Sequence, residues 1–267
     1  MIIATLAGPG QLANAAVFAR SVKQFHPEAY IILCITGNAG RYREPDDVDE
    51  VVFIASKPFE SADLSPYKAY FIQSLVHTYN DSIIYMDPHS RLYGPIDELA
   101  QALRGCDLVG IPYFLYPQQN AEDEIERLKN GMMNAGLLAL RPSSHTRSFA
   151  AWWLDRVMES CRSGNPAHSD HRWLSLAVTP FGIHIFKHPA YHFSAWNLAE
   201  KARSLTVQNG QFTVHGLPLK TACFDPAGGK LHAQVASARL LPVHMLMDQY
   251  QAECDAILSN PGKEMPS

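Results

Sequence analysis

Hydrophobic positions along the chain fall into short, nearly continuous runs separated by longer amphipathic stretches. "IIATLA", "YIILCIT", "EVVFIA", "SIIYMD" and "CDLVGIPY" are such runs, bounded by turn residues such as "GPG" and "GNAGR". Runs of this kind predict strands buried on both faces. Between the first two, "QLANAAVFARSVKQFH" carries Leu12, Ala15, Ala16, Ala19 and Val22 at helical spacing, and Pro27 ends the pattern. "SPYKAYFIQSLVHTY" predicts a second helix, with Ser65 as N-cap and Pro66 in the first turn. Strands alternating with helices predict an α/β fold with a mostly parallel, Rossmann-like sheet flanked by helices.

The second half is less regular. "AGLLALR" and "IHIFKHP" predict strands, "SSHTRSFAAWWLDRVMESC" an amphipathic helix capped by Ser143 or Ser144, and "SDHRWLSLAV" another helix. "SLTVQNGQFTVHG" alternates around Asn-Gly, a hairpin signal. "PVHMLMDQYQAECDAIL" predicts a C-terminal helix, followed by a polar tail read as disordered. No linker divides the chain. The expectation is one domain over residues 1–258, with a nucleotide-binding half of about 1–111, an acceptor half of about 112–258, and a tail over 259–267.

Composition narrows the class. The 267 residues are 47% hydrophobic and 18% charged, with a net charge of −4, which argues against nucleic acid as a partner. The five cysteines include no Cys-x-x-Cys pair and read as buried thiols of a reducing compartment. The N-terminus lacks a basic segment before its short apolar run, and no run approaches a membrane span of about 18 residues. The expected location is cytoplasmic, with peripheral contact at the inner membrane face left open.

Chemistry concentrates at "SIIYMDPHSRLYGPIDEL", where a buried strand ends on Asp87 and places His89 two residues later. By itself Asp-Pro reads as a strand end with an Asp-capped turn. However, ligands of open α/β sheets bind beyond the carboxyl ends of the strands, and Asp87 lies at such an end, as do "AGPGQ" and "TGNAG".

The ordered set of motifs resembles the nucleotide-sugar glycosyltransferases of the GT-A fold. It is closest to the bacterial Asp-Pro-Asp type related to the glycogenin and galactosyltransferase-like transferases. Tyr85, Asp87, Pro88, Gly94, Pro95, Asp97, Glu98 and Leu99 match that motif region, and "NGMMNAGLLALRPS" matches an Asn-Ala-Gly element through Asn134, Ala135 and Gly136. "SFAAWWLDRV" is similar to a Phe-x-x-Trp-Trp helix. "HSDHRWLSL" is similar to an Asp-Gln-x-Trp segment through Asp170 and Trp173, with His171 in place of Gln. "HPAYHFSAWNL" is similar to a Pro-Gly-Tyr-Asn-x-x-x-Trp-Asn-Leu stretch through Tyr191, Trp196 and Asn197.

The resemblance implies a nucleotide-diphosphate sugar as donor and a glycan or lipid-linked glycan as acceptor. It implies donor contacts at Thr5, Leu6, Ala7, Lys68, Asp87, His89, Asn134, Ala135 and Gly136, and acceptor contacts at Tyr191, Trp196 and Asn197. Asp87 and His89 are the implied ligands of a divalent metal, Mn²⁺ or Mg²⁺, with His89 standing where the family has an acid. In "KTACFDP", Lys220 stands where the family places a late metal-ligating His. A lysine neutralises a diphosphate directly, so metal-assisted transfer, metal-independent transfer through Lys220 (helped by Lys68 or Arg91) and a non-catalytic relative all remain open. His232 is a second placement for the late ligand. The resemblance implies Asp170 as the catalytic carboxylate beside Lys220, the base of an inverting enzyme or the group lining the sugar in a retaining one; by itself the residue reads as the N-cap of its own helix. Competing α/β classes fit less well: a nucleotidyltransferase would need a basic pair after the Gly-rich loop, and "GPGQLA" falls short of the dinucleotide fingerprint.

Overall fold

The computed structural model describes residues 1–37, 45–55, 64–118, 121–163, 170–198, 200, 203–224 and 241–259. In chain order the elements are β1 (Ile2–Ala7), α1 (Leu12–Phe25), β2 (Tyr30–Thr36), β3 (Glu50–Ile54), α2 (Ser65–Thr78), β4 (Ile83–Met86), β5 (Ser90–Leu92), α3 (Asp97–Ala102), β6 (Leu108–Pro112), α4 (Ala121–Asn130) and β7 (Met133–Leu140). Then follow α5 (Ser144–Ser163), α6 (Asp170–Ala177), β8 (His184–Ile185), β9 (Phe193–Ser194), β10 (Leu205–Gln208), β11 (Gln211–Val214), β12 (Leu217–Pro218), β13 (Thr221–Cys223) and a C-terminal α7 (Leu241–Ser259).

Seven strands form one sheet in the order β3-β2-β1-β4-β7-β6-β8. All run the same way except β7, which is antiparallel to both β4 and β6. The expected mostly parallel sheet is therefore present. Alternation along β1 shows why its residues are nearly all apolar. Ile2, Ala4 and Leu6 enter a core shared with α2, α5 and α6, while Ile3 enters the opposite core with Phe18, Ala19 and Val22 of α1. Two small three-stranded sheets, β5-β13-β9 and β10-β11-β12, stand beside the large one. The Asn-Gly hairpin forms β10–β11, with Asn209 and Gly210 both at positive φ.

Local details adjust the expectations. Ser65 is the first residue within α2, and Leu64 occupies the N-cap position. Ser143 caps α5: its Oγ accepts the Thr146 N–H at 3.2 Å and donates to Asp107 Oδ2 at 2.8 Å. Ser143→Ala should cost about 1–2 kcal/mol, read as a lowered urea midpoint with an unchanged slope. The strand expected over "IHIFKHP" is two residues long. Helices α3 and α4 were not expected. Asn134, just before the strand expected over "AGLLALR", lies inside β7. Of the expected tail only Ser259 is described, as the last residue of α7, and His232 lies outside the described residues. Among the described residues, no helix is long and apolar enough to cross a membrane.

Because β7 runs backwards, its N-terminal end lies where β4 and β6 finish. Pro112 of β6 faces Met133, and the Asp87 N–H, just past β4, donates to Gly136 O at 2.9 Å. The Asp87 motif and the Asn-Ala-Gly element, far apart in sequence, thus meet at one edge of the sheet.

Candidate active site

Asp87 leaves β4 with one carboxylate oxygen fixed. The buried Tyr85 hydroxyl donates to Oδ1 at 2.9 Å. Burial, then the Asp87 charge, hold that phenol protonated. The Lys68 ammonium, from the first turn of α2, stands 3.6 Å from the same oxygen and 2.8 Å from Asp170 Oδ2. Lys68 and Asp170 are both almost wholly buried, at 7% and 3% exposure. Burial alone would raise the Asp170 pKa; the adjacent ammonium, with help from His171, outweighs this and holds the carboxyl well below the usual range. Asp170 also opens α6, where its Oδ1 accepts the His171 N–H at 2.9 Å. It is thus the first residue within α6 and not its N-cap, and its negative charge stands at the positive end of that helix.

The Asn-Ala-Gly element is packed tightly against Asp87. Asn134 Oδ1 accepts the Gly136 N–H at 2.7 Å, and Asn134 Nδ2 lies 2.7 Å from His192 Nε2. A Cβ on Gly136 would sit 2.6 Å from Asp87 Oδ2, so only glycine lets the carboxylate occupy this place. The Ala135 N–H donates to His171 Nδ1 at 3.0 Å, and the Tyr113 hydroxyl, from the end of β6, lies 3.0 Å from the same nitrogen. A ring nitrogen that accepts leaves the proton on Nε2, which faces Asp170 Oδ1 at 3.5 Å.

His192 was not singled out from sequence. The signal was available: it stands at the Asn of the Pro-Gly-Tyr-Asn stretch. It is fully buried at positive φ, and its N–H donates to Thr221 Oγ1 at 2.7 Å. Its Nε2 accepts from Asn134, which puts the proton on Nδ1. Burial first, then the Arg203 charge, push its pKa down to about 4, against the pull of Asp87. The unfolded chain therefore binds the proton first between pH 6.5 and about 4, and folding stability falls as pH drops through that window. His192→Gln should remove this acid limb, on the order of 1–3 kcal/mol, in urea titrations at pH 7 and pH 5; an unaltered limb would assign it to other groups.

Other expected site residues lie elsewhere. The Lys220 ammonium is held by Glu98 and by Pro95 O, both at 2.8 Å. Its described partners are thus Pro95 and Glu98 and not Asp87 or Asp170. Tyr191 is fully buried, with its hydroxyl donating to Glu98 at 2.6 Å and its ring against Phe186 and His188. Burial removes it as a stacking surface. Asn197 is also buried: it accepts from Ser194 N–H and donates to His192 O, shaping the loop that carries His192. Arg91 is clamped by Glu253 of α7 at 2.7 and 2.8 Å. The side chains of Thr5, Leu6 and Ala7 are interior to the sheet. Trp196 alone of the expected acceptor set keeps a partly open ring, edge-on to Tyr113.

His89 is close to the site but engaged. Gln11 Oε1 accepts the Gly8 N–H at 2.9 Å, so the amide nitrogen of Gln11 faces His89 Nε2 at 3.0 Å. That contact uses the lone pair a metal would need. Among the described residues, no group of three or more His, Cys, Asp or Glu side chains could hold a metal ion. Asp87 Oδ2, turned toward Gly136, is the carboxylate oxygen left for a cation.

The sheet order and the cluster at its carboxyl edge define an α/β protein with the GT-A fold. The crystal structure of the galactosyltransferase LgtC in complex with donor and acceptor sugar analogues resembles it with a TM-score of 0.59, covering 96% of this chain and 96% of that one at 14% sequence identity. No protein-family model and no curated protein matches the sequence.

Proposed function

We propose that the protein transfers a sugar from a nucleotide-diphosphate donor to a glycan or lipid-linked acceptor. The observation that carries this is the cluster of buried Lys68 and Asp170 with half-buried Asp87 at the carboxyl edge of a GT-A sheet. Two carboxylates there share one ammonium, so a diphosphate arriving beside Asp87 needs a further positive charge. Asp87 would be the protein ligand of a Mg²⁺ or Mn²⁺ ion carried in with the diphosphate, and such an ion would supply that charge to the leaving group. The described side chains offer such an ion no cluster of three or more ligands, so the protein without nucleotide would hold it weakly.

Asp170 is suited to a different task. A carboxylate held well below its usual pKa is a poor proton acceptor, but a fixed negative charge stabilises the positive character that develops at the sugar's anomeric carbon. Lys68 keeps it ionised and oriented. This favours a route in which Asp170 lines the sugar and no strong base is needed. Asn134, His192 and Gly136 hold the backbone beside Asp87 in place.

Calorimetric titration with UDP, GDP and dTDP, each with Mn²⁺ and with EDTA, tests the reading. Mn²⁺ alone should bind weakly, and one nucleotide should bind with Mn²⁺ and lose at least tenfold in affinity in EDTA. Equal binding in EDTA would overturn the role given to the cation. No binding of any nucleotide to the folded protein would overturn the transferase reading in favour of a non-catalytic relative.

A further inference from the structure

A groove opens beside the cluster, between the end of β6, the segment after it, α4 and β8, with a volume of about 450 Å³. That is the size of a site for a small organic ligand. Its walls include Tyr113, Tyr116, Leu128, Met132 and Ile185. Leu128 is 71% and Met132 59% exposed, an unusual density of open apolar side chains at one place.

Three features say what the groove takes. First, it borders the cluster. Tyr113 forms part of its wall while its hydroxyl reaches His171 Nδ1, and the lining residue Met133 directly precedes Asn134. Second, it is cationic although the chain carries a net charge of −4. Arg127 and Lys187 both line it, and neither has an ion pair among the described residues. The one acid in the lining, Glu124, accepts the Gln118 N–H at 2.9 Å. Third, the Arg127 guanidinium is positioned by ring faces, 4.8 Å from Tyr113 and 4.8 Å from Trp196. Cation–π contacts of this kind hold a guanidinium in place and leave its N–H donors to an anion. A neutral glycan would leave the cations unused, and a free sugar phosphate would leave the apolar walls wet.

We infer that this groove binds a lipid-linked saccharide phosphate as the acceptor, its apolar chain along Leu128, Met132 and Ile185, its phosphate on Arg127 and Lys187, and a hydroxyl of its saccharide directed past Tyr113 toward Asp170; that oxygen bonds the anomeric carbon as the bond to the nucleotide diphosphate breaks, and its proton leaves with the diphosphate. The assignment as acceptor rests on the glycosyltransferase reading; the binding chemistry does not.

The test uses the full chain and n-decyl phosphate as a monomer, below its critical micelle concentration, with n-decyl glucoside, inorganic phosphate and phosphatidylglycerol vesicles as comparisons. Decyl phosphate should bind at least tenfold more tightly than decyl glucoside or inorganic phosphate. Arg127→Gln and Leu128→Glu should each weaken it tenfold or more while nucleotide affinity stays unchanged. Both positions are partly or largely exposed, so folding is not at stake. Equal binding of the neutral amphiphile, indifference to both substitutions, or binding to vesicles alone would overturn the inference. Decyl phosphate binding by a protein that binds no nucleotide would uphold the groove as a lipid-phosphate site and remove its role as acceptor subsite.

Discussion

Lys68→Met is expected to destabilise the protein by about 3–5 kcal/mol at pH 7, the cost of leaving a buried carboxylate without its partner. Asp170 is 3% exposed and its Oδ2 lies 2.8 Å from the lost ammonium, so solvent offers little relief. The sign of the pH response identifies the source. In the native protein Asp170 titrates below its ordinary value of 3.8. Its stabilisation is in force above that value and is lost as pH falls through the lower, folded one. In the variant, burial without the ammonium pushes the same carboxyl upward, so protonation relieves the strain. The deficit should therefore be smaller at pH 5 than at pH 7, and the added substitution Asp170→Asn should recover most of it at pH 7. Urea titrations of the two variants decide this. A deficit that is flat with pH and unrelieved by Asp170→Asn would mean that Lys68 matters for packing and not for charge. Transfer should be lost in both variants, because neither presents a fixed anion to the sugar.

Gly136→Ala is expected to lower nucleotide affinity or turnover about 100-fold, the scale of a reacting group displaced by about an ångström. The added methyl would stand 2.6 Å from Asp87 Oδ2 and 2.9 Å from Asn134 Oδ1. Both are the ends of side chains, so they can swing aside. The fold should survive at an overpacking cost of about 1–3 kcal/mol, while the carboxylate leaves the position from which it meets the donor. The check pairs a melting curve with nucleotide calorimetry on the same sample. A folded Gly136→Ala protein that binds and turns over like the wild type would remove Asp87 from the donor site.

What the sequence disclosed followed from burial on both faces. β1, β2, β4 and β6 are apolar at successive positions because each contacts two cores, and their short length and turn-residue borders set them apart from buried helices. Lys68, Asp87, Asn134 and Asp170 were legible through their ordered motifs, and the structure brings them together. Tyr191 and Lys220 were misplaced for a reason motif order cannot reveal. Both turn to Glu98, on α3, a helix read only as a motif segment. Helix α4, "AEDEIERLKN", escaped because it has few apolar residues to set a period; it encloses a groove and does not cover a core. Tyr113 and His171 act through hydrogen bonds between distant segments, which leave no local pattern; His192 was marked only by its place in the Pro-Gly-Tyr-Asn stretch.

The antiparallel strand β7 has one property that bears on how such a protein changes over generations. Against β4 its register is unbroken, from Leu140 to Leu137. Against β6 the pairing jumps from Leu138 to Asn134, and Ala135, Gly136 and Leu137 oppose nothing there. The sheet thus carries a seam along one edge of a single strand. Everything on the β4 side, including Asp87, is locked in register, because a slip there would invert which residues face each core. On the β6 side the ladder is already interrupted, so insertions and drift in β6, the segment after it and α4 can accumulate without dragging Asp87 with them. The seam separates the register that places Asp87 from the register that places Pro112 and Met133, so a change of length in the β6 ladder need not shift the β4 ladder.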